Sequence, residues 1–151
     1  MMEDIDRIME VMDDAFEPRW GEAWTRGQVS SLLTLPSTHY RLVDSAGARP
    51  VDHAPTAGFT LVRAVPGEEE LLLIGVKPQD RASGLGRKLL DFLVRDARSR
   101  GAERVFLEMR ENNPAVNLYV NAGFRQIGRR SGYYKTTDGV RLDAITFALD
   151  F

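Results

Sequence analysis

Three positions in this sequence suggest chemistry before anything else does. Arg81, Gly84 and Gly86 stand in the order Arg-x-x-Gly-x-Gly, directly after an aliphatic run at residues 71–76 and directly before a stretch bearing Leu85, Leu89, Phe92 and Leu93 at helical spacing. A glycine-rich turn between a strand and a helix start presents backbone N–H groups that have no helical partner. Aligned peptide dipoles add roughly half a positive charge there. Such a turn is an anion site, and a phosphate is the anion it suits best. Two familiar phosphate loops are excluded by what is missing. The third glycine of a dinucleotide fingerprint would fall at Leu89, and the Gly-Lys-Ser/Thr that closes a nucleotide P-loop is replaced by Gly86-Arg87-Lys88-Leu89. On these residues alone, an ordinary turn that happens to need glycines is the competing reading.

Glu108 is the candidate for proton transfer. In an extended segment it shares a face with Phe106, while Val105, Leu107 and Met109 take the other. A carboxylate on a largely apolar face is desolvated and so becomes a stronger base. The alternative is a strand-end glutamate paired with Arg110 or another arginine. Tyr119 lies on an apolar helical stripe with Ala115, Leu118 and Ala122, a pattern that reads as core, although a buried phenol needs a partner. Trp20 and Trp24 flank Glu22 and either cover an edge of the core or wall a groove.

Composition bounds what such residues can be doing. The chain has 151 residues and reads as a single domain over its whole length, long enough to bury about two-thirds of its unfolded surface. No apolar run approaches the roughly 20 residues needed to span a bilayer, and Met1-Met2-Glu3-Asp4 is acidic rather than signal-like, so a cytoplasmic protein away from membranes is expected. A net charge of −2 gives no general attraction to nucleic acid. The absence of cysteine excludes disulfides, zinc-thiolate sites and an acyl-cysteine intermediate. His39 and His53 are the two histidines, neither beside a carboxylate at ligand spacing, and no metal site is expected.

The elements that must carry these residues follow from periodicity and punctuation. Ile5, Ile8, Met9, Met12, Ala15 and Phe16 predict a helix over residues 4–16, ended by Pro18. Thr25 caps a second helix to about Leu35. Strands are predicted at residues 39–44 and 57–65, and Pro66-Gly67 turns the second into a central strand, residues 71–76, buried on both faces and stopped by Pro78. A helix then runs to about Arg100 and ends at Gly101. The strand at residues 103–110 follows, and a helical crossover makes it parallel to the central strand. Asn113-Pro114 opens a further helix ending at Gly123. Strands at residues 124–131 and 141–150 close the chain, joined by a tip containing Tyr133, Tyr134 and Asp138-Gly139. The class is α/β, with a mixed sheet.

The Arg81-x-x-Gly84-x-Gly86 turn resembles that of the GNAT family of acyl-coenzyme-A N-acyltransferases. The resemblance extends over about residues 4–150 through Leu107-Glu108-Met109-Arg110, Asn113 to Tyr119 with Ala122-Gly123-Phe124, and Arg129-Arg130-x-x-Tyr133-Tyr134 with Asp143-Ala144. It is nearest to the branch that acetylates the N-terminal alanine of a small-subunit ribosomal protein. Two departures stand out. From Glu108 to Tyr119 the segment is one residue shorter than the family pattern, so either Asn112 or Asn113 takes the cofactor-facing position. The strand that usually precedes the first helix is also expected to be absent or vestigial.

The resemblance implies a twisted, mostly antiparallel sheet with a splayed parallel central pair and helices on both faces. It implies acetyl-coenzyme A as cosubstrate, direct transfer in a ternary complex, and no metal. Glu108 would be the base and Tyr119 the acid that protonates the leaving thiolate. Ile74, Gly75 and Val76 would hold the acetyl end and pantetheine, with Gly75 marking a mid-strand irregularity. Ala82, Ser83, Gly84, Leu85, Gly86 and Arg87 would hold the pyrophosphate, with Arg81 and Arg87 adding charge and Asn113 facing the cofactor. Trp20, Glu22, Tyr133 and Tyr134 would frame the acceptor, a peptide or protein N-terminus such as that of a ribosomal protein. Rival expectations are a GNAT enzyme for a small amine, an antibiotic or a lysine side chain, and a non-catalytic acyl-coenzyme-A-binding module.

Overall fold

The computed structural model describes residues 3–151. Its elements are helices α1 (Asp4–Ala15), α2 (Arg26–Leu33), α3 (Leu85–Ser99) and α4 (Val116–Asn121), and strands β1 (Thr38–Val43), β2 (Gly58–Val65), β3 (Glu68–Val76), β4 (Arg104–Arg110), β5 (Arg125–Lys135) and β6 (Arg141–Asp150). The strands form one sheet in the order β1-β2-β3-β4-β6-β5, in which β3 and β4 are the parallel pair and every other pair is antiparallel. No strand precedes α1 among the described residues. None of the described helices is long and apolar enough to cross a membrane.

Local signals account for most boundaries. Thr25 caps α2 in a reciprocal box with Gln28, satisfying two amides that the first turn would otherwise leave open. At the far end of α3 the chain reverses at Gly101, whose φ of +90° suits a residue without a side chain. α1 and α2 cover one face of the sheet, packing Ile8, Val11, Met12 and Val29 against Leu42, Phe59 and Leu61. α3 and α4 cover the other, where Leu90, Leu93, Ala97 and Tyr119 meet Leu71, Val105, Leu107 and Phe147. The long β1–β2 connection is tied to α1 by the buried Arg7, which donates to the carbonyls of Val51 and Ala54 at 2.9 Å each.

Four details differ from the sequence expectation, each for a physical reason. β3 begins at Glu68 and is not buried on both faces throughout. Glu69, Leu71 and Gly75 are buried while residues 72–74 are half-buried, because β4 pairs with β3 only from Glu68 to Leu71 and then departs. The β3 irregularity falls at Leu72, since Val62 faces Leu71 and Leu61 faces Leu73, leaving Leu72 as the extra residue. Gly75 instead pairs regularly with Phe59, and its missing side chain makes room for that ring. Third, Tyr133 and Tyr134 lie on β5 rather than in the tip. The strand continues through a bulge to Lys135, because the Asp143 carboxylate receives the amide of Gly132 at 2.8 Å and holds the bulge against β6. Finally, α4 starts at Val116, and Asn113-Pro114 forms a separate turn in which Asn113 Oδ1 accepts from the Ala115 amide at 2.9 Å.

A Cβ at residue 75 would sit 2.8 Å from Phe59 Cε1, and Phe59 is fully buried. Gly75→Ala should therefore lower the unfolding free energy by about 1–3 kcal/mol, as overpacking of a closed core does. Denaturant titration of the two proteins measures it.

Candidate active site

The divergence of β3 and β4 builds the site. Past the Leu71–Leu107 pair the two strands part, so the inner edge of residues 72–76 and that of residues 108–110 face a gap rather than each other. Val76 leads through a short 3-10 turn, Pro78–Asp80, into the glycine-rich turn and then α3. Ala82 and Gly84 take left-handed conformations, with φ of +61° and +82°. For Ala82 this is an uncommon backbone state of the kind found where a site demands it. Among the described residues, the amides of residues 82–87 donate to no carbonyl or side chain. They form a row of free donors at the positive end of a 15-residue helix. This cradle and the open edge of β3 suit a pyrophosphate followed by an extended amide-bearing arm, and so suit coenzyme A.

The side chains around the turn are used differently from the backbone. Arg81 donates to the Val76 carbonyl at 3.1 Å and to the Ala15 carbonyl at 2.5 Å, so its guanidinium braces the end of β3 against the end of α1. Arg87 donates to Asp91 at 2.9 Å and to the Asn121 carbonyl at 3.3 Å, joining α3 to α4. Ser83 Oγ bonds the Asp80 carbonyl. Leu85 is buried beneath the turn, while Ile74 and Val76 pack at the mouth of the gap. Gly86 lies under Leu118 of α4, which a Cβ there would approach to 3.4 Å.

On β4, Glu108 shares its face with Phe106 and Arg110, opposite the Val105, Leu107 and Met109 face that packs under α3. Its carboxylate is 18% exposed and accepts from Arg130 of β5 at 2.8 and 3.0 Å. The sequence left open whether this glutamate is isolated or ion-paired; it is ion-paired, with Arg130 and not Arg110. Arg130 also lies 4.1 Å from the Tyr133 ring, and that ring meets Tyr134 edge-on at 5.3 Å.

Tyr119 of α4 is buried in the cluster that includes Leu107 and Met109 of β4. The residue is 5% exposed, its hydroxyl bonds no group among the described residues, and no enclosed side-chain N or O atom there lacks a partner. Its hydroxyl is therefore not fully enclosed. It lacks the protein partner expected for a buried phenol. Burial, and then the Glu22 carboxylate, push its pKa well above the usual tyrosine value. Tyr134 is pushed up to about 12 by burial, then by Glu108 and Glu22.

Glu22, Trp20, Glu108, Tyr133 and Tyr134 are thus neighbours, and Tyr119 lies within reach of the Glu22 charge. Trp24 is separate, packed on the α1–α2 core, while Trp20 stacks on Arg110. Asn112 accepts from Arg110, while Asn113 caps its own turn. In the sequence Arg130 stands only within the motif that carries the family resemblance, with no role given to it, and Arg110 is given a role only as a possible partner for Glu108. Its place two residues beyond Glu108 on one strand face was the available signal. The β5–β6 tip also reaches the α1–α2 loop, the Thr137 amide donating to the Arg19 carbonyl at 3.0 Å.

A tyrosine held protonated in the folded state above its ordinary pKa near 10 stabilises the fold up to that pH and loses this contribution as pH rises further. Stability should therefore fall above about pH 10, with a slope of at most about 1.4 kcal/mol per pH unit for each such tyrosine. In Tyr119→Phe the alkaline fall should be shallower, measured by denaturant unfolding between pH 9 and 11.

A model of the Acetyltransferase (GNAT) family matches residues 6–124. The [Ribosomal protein bS18]-alanine N-acetyltransferase of Escherichia coli K12 is 42% identical over 94 residues, 62% of this chain and 63% of that one, so the match spans less than two-thirds of that relative's length. A Bacillus subtilis protein provisionally given the same name is 30% identical over 135 residues, 88% of this chain and 82% of that one. The crystal structure of the E. coli ribosomal-protein-S18-alanine N-acetyltransferase superposes with a TM-score of 0.79 at 29% identity, covering 99% of this chain and 90% of that one. Arabidopsis thaliana NAA60 in complex with acetyl-CoA shares the fold, with a TM-score of 0.77 at 20% identity over 98% of this chain and 93% of that one.

Proposed function

The chain belongs to the Acetyltransferase (GNAT) family, and on that footing we propose that it transfers an acetyl group from acetyl-coenzyme A to a protein N-terminal α-amine. The acceptor that its relatives' names suggest is the alanine N-terminus of ribosomal protein bS18. One observation carries the reading: a row of free amides at residues 82–87 leads along an open strand edge into a gap flanked by a carboxylate, Glu108, and a free phenol, Tyr119.

Bound there, acetyl-coenzyme A would supply a thioester carbon, to which the amine nitrogen bonds as the carbon–sulfur bond breaks. The chain's residues handle protons and position. At pH 7 only about a tenth of an α-amine is neutral, so a base that takes the proton from the attacking nitrogen raises the rate, typically 10²- to 10⁴-fold. Glu108 is that base, directly or through a water. Tyr119 keeps its proton at working pH, because burial and Glu22 disfavour the phenolate, and so it can donate to the departing sulfur. The proton given up by the amine replaces the one Tyr119 spends, leaving the enzyme unchanged. Residues 74–76 receive the pantetheine arm and residues 82–87 the pyrophosphate. Asn113 borders the gap at the α4 turn. Trp20, Glu22, Tyr133 and Tyr134 frame the acceptor.

Incubation with acetyl-coenzyme A and a panel of amines, read by intact mass, tests the reading. A peptide beginning with the bS18 alanine should gain an acetyl group on its α-amine. Gain only on a lysine side chain or a small amine changes the acceptor class, and coenzyme binding without any transfer identifies a non-catalytic module. Glu108→Gln and Tyr119→Phe should each lower turnover at least about 100-fold while coenzyme affinity stays within about twofold. Normal turnover in either variant removes that residue from its role.

A further inference from the structure

Arg110 occupies the part of β4 that has already left β3, two residues beyond Glu108 and on the same strand face. It is 7% exposed. Its Nε donates to Glu22 at 3.3 Å, its Nη1 donates to Asn112 at 2.7 Å, and its guanidinium carbon lies 3.8 Å from the centre of the Trp20 ring. One buried cation therefore reaches across 88 residues of sequence to the loop between α1 and α2 and fixes both its aromatic and its acidic residue. Breaking such a pair from one side leaves a buried charge unmatched.

Glu22 balances the charge of the buried Arg110 and is itself open to solvent. It lies outside any helix or strand, its side chain is 21% exposed, and its charge is felt at the hydroxyls of both Tyr119 and Tyr134. Glu108 acts on Tyr134 from the other side. Two carboxylates thus face one cleft, each tethered to its own arginine. A free α-amine arrives mostly as an ammonium at neutral pH. A single carboxylate that took the proton would lose its hold on the cation in the same event; two can divide these tasks.

We propose that Arg110 is a positioning residue for the acceptor, fixing Glu22 as a second carboxylate that receives the cationic amine and leaves Glu108 to accept the proton. The proposal rests on the reading above, in which the acceptor is an amine. Glu22 then governs acceptor affinity, and Arg110 acts only through Glu22 and the Trp20 wall.

Steady-state kinetics with acetyl-coenzyme A and the alanine peptide, or whichever amine the wild type acetylates, test it. Glu22→Gln and Arg110→Met should each raise the acceptor KM about tenfold or more, the loss expected for one charge-assisted contact, with kcat and the acetyl-coenzyme A KM within about twofold. The double variant should be no worse than the poorer single one, because the two residues act as one unit. Arg110→Lys should recover part of the affinity, keeping the charge but losing the flat fork. Multiplied losses in the double variant overturn the proposal, as does a fall in kcat at unchanged acceptor KM. If Arg110→Met does not fold, Glu22→Gln decides alone, and a wild-type acceptor KM in that variant overturns it. A wild type inert toward every amine removes the underlying reading, and this proposal with it.

Discussion

β3 stays paired with β2 along its whole length and β4 stays paired with β6, while past Leu71 and Leu107 the two give up one another. Unpaired backbone groups cost free energy unless water or a ligand satisfies them. A parted pair of strands is therefore stable only as an open cleft or as a cleft holding something with alternating donors and acceptors. The extra residue at Leu72 lets β3 turn away without losing its bonds to β2. Everything proposed about chemistry follows from this gap. It lets Tyr119, on the α3–α4 side of the sheet, and Glu108, on the α1–α2 side, serve a common space.

Arginine pairings give the cleft its shape. Arg81 fastens the glycine-rich turn to the end of α1, Arg87 joins α3 to α4, Arg110 holds the loop between α1 and α2, and Arg130 covers Glu108. In each case the guanidinium connects two elements that no backbone bond connects. These contacts also leave the turn at residues 82–87 with mainly its backbone to offer a ligand. Its flanking cations are already engaged, which leaves the amides and the helix dipole as the donors on offer.

The helices, the crossover and the sheet topology were legible because they rest on short-range rules. Apolar spacing in α1 and α3, the Thr25 cap, the glycine at residue 101 and the helix between two strands each act within a few residues. What stayed hidden depends on choices made across the chain. A run of three leucines gives no sign of which one is extra, and the sequence instead points to Gly75, whose true reason is the Phe59 ring. Gly132 reads as a tip residue, yet Asp143 turns it into a bulge within β5. Glu108 could have met any of several arginines, and spacing cannot choose among them. The family resemblance supplied Glu108 and Tyr119 as candidates and Trp20, Glu22, Tyr133 and Tyr134 for the acceptor; which arginine holds which carboxylate had to come from the fold.

The walls of the cleft are drawn together from remote parts of the chain. Arg81 meets Ala15 across 66 residues, Arg110 meets Glu22 across 88, and Thr137 meets Arg19 across 118. Closing loops of such length is entropically costly, and contacts of this kind form late while local ones form early. Helices and hairpins can thus exist in a nascent chain well before the cleft does, and the cleft is complete only once the last long-range ties are made. The same ties are the ones to open first under mild stress, through partial openings that cost less than global unfolding. A weakened protein would lose its grip on the acceptor while most of its sheet still stood.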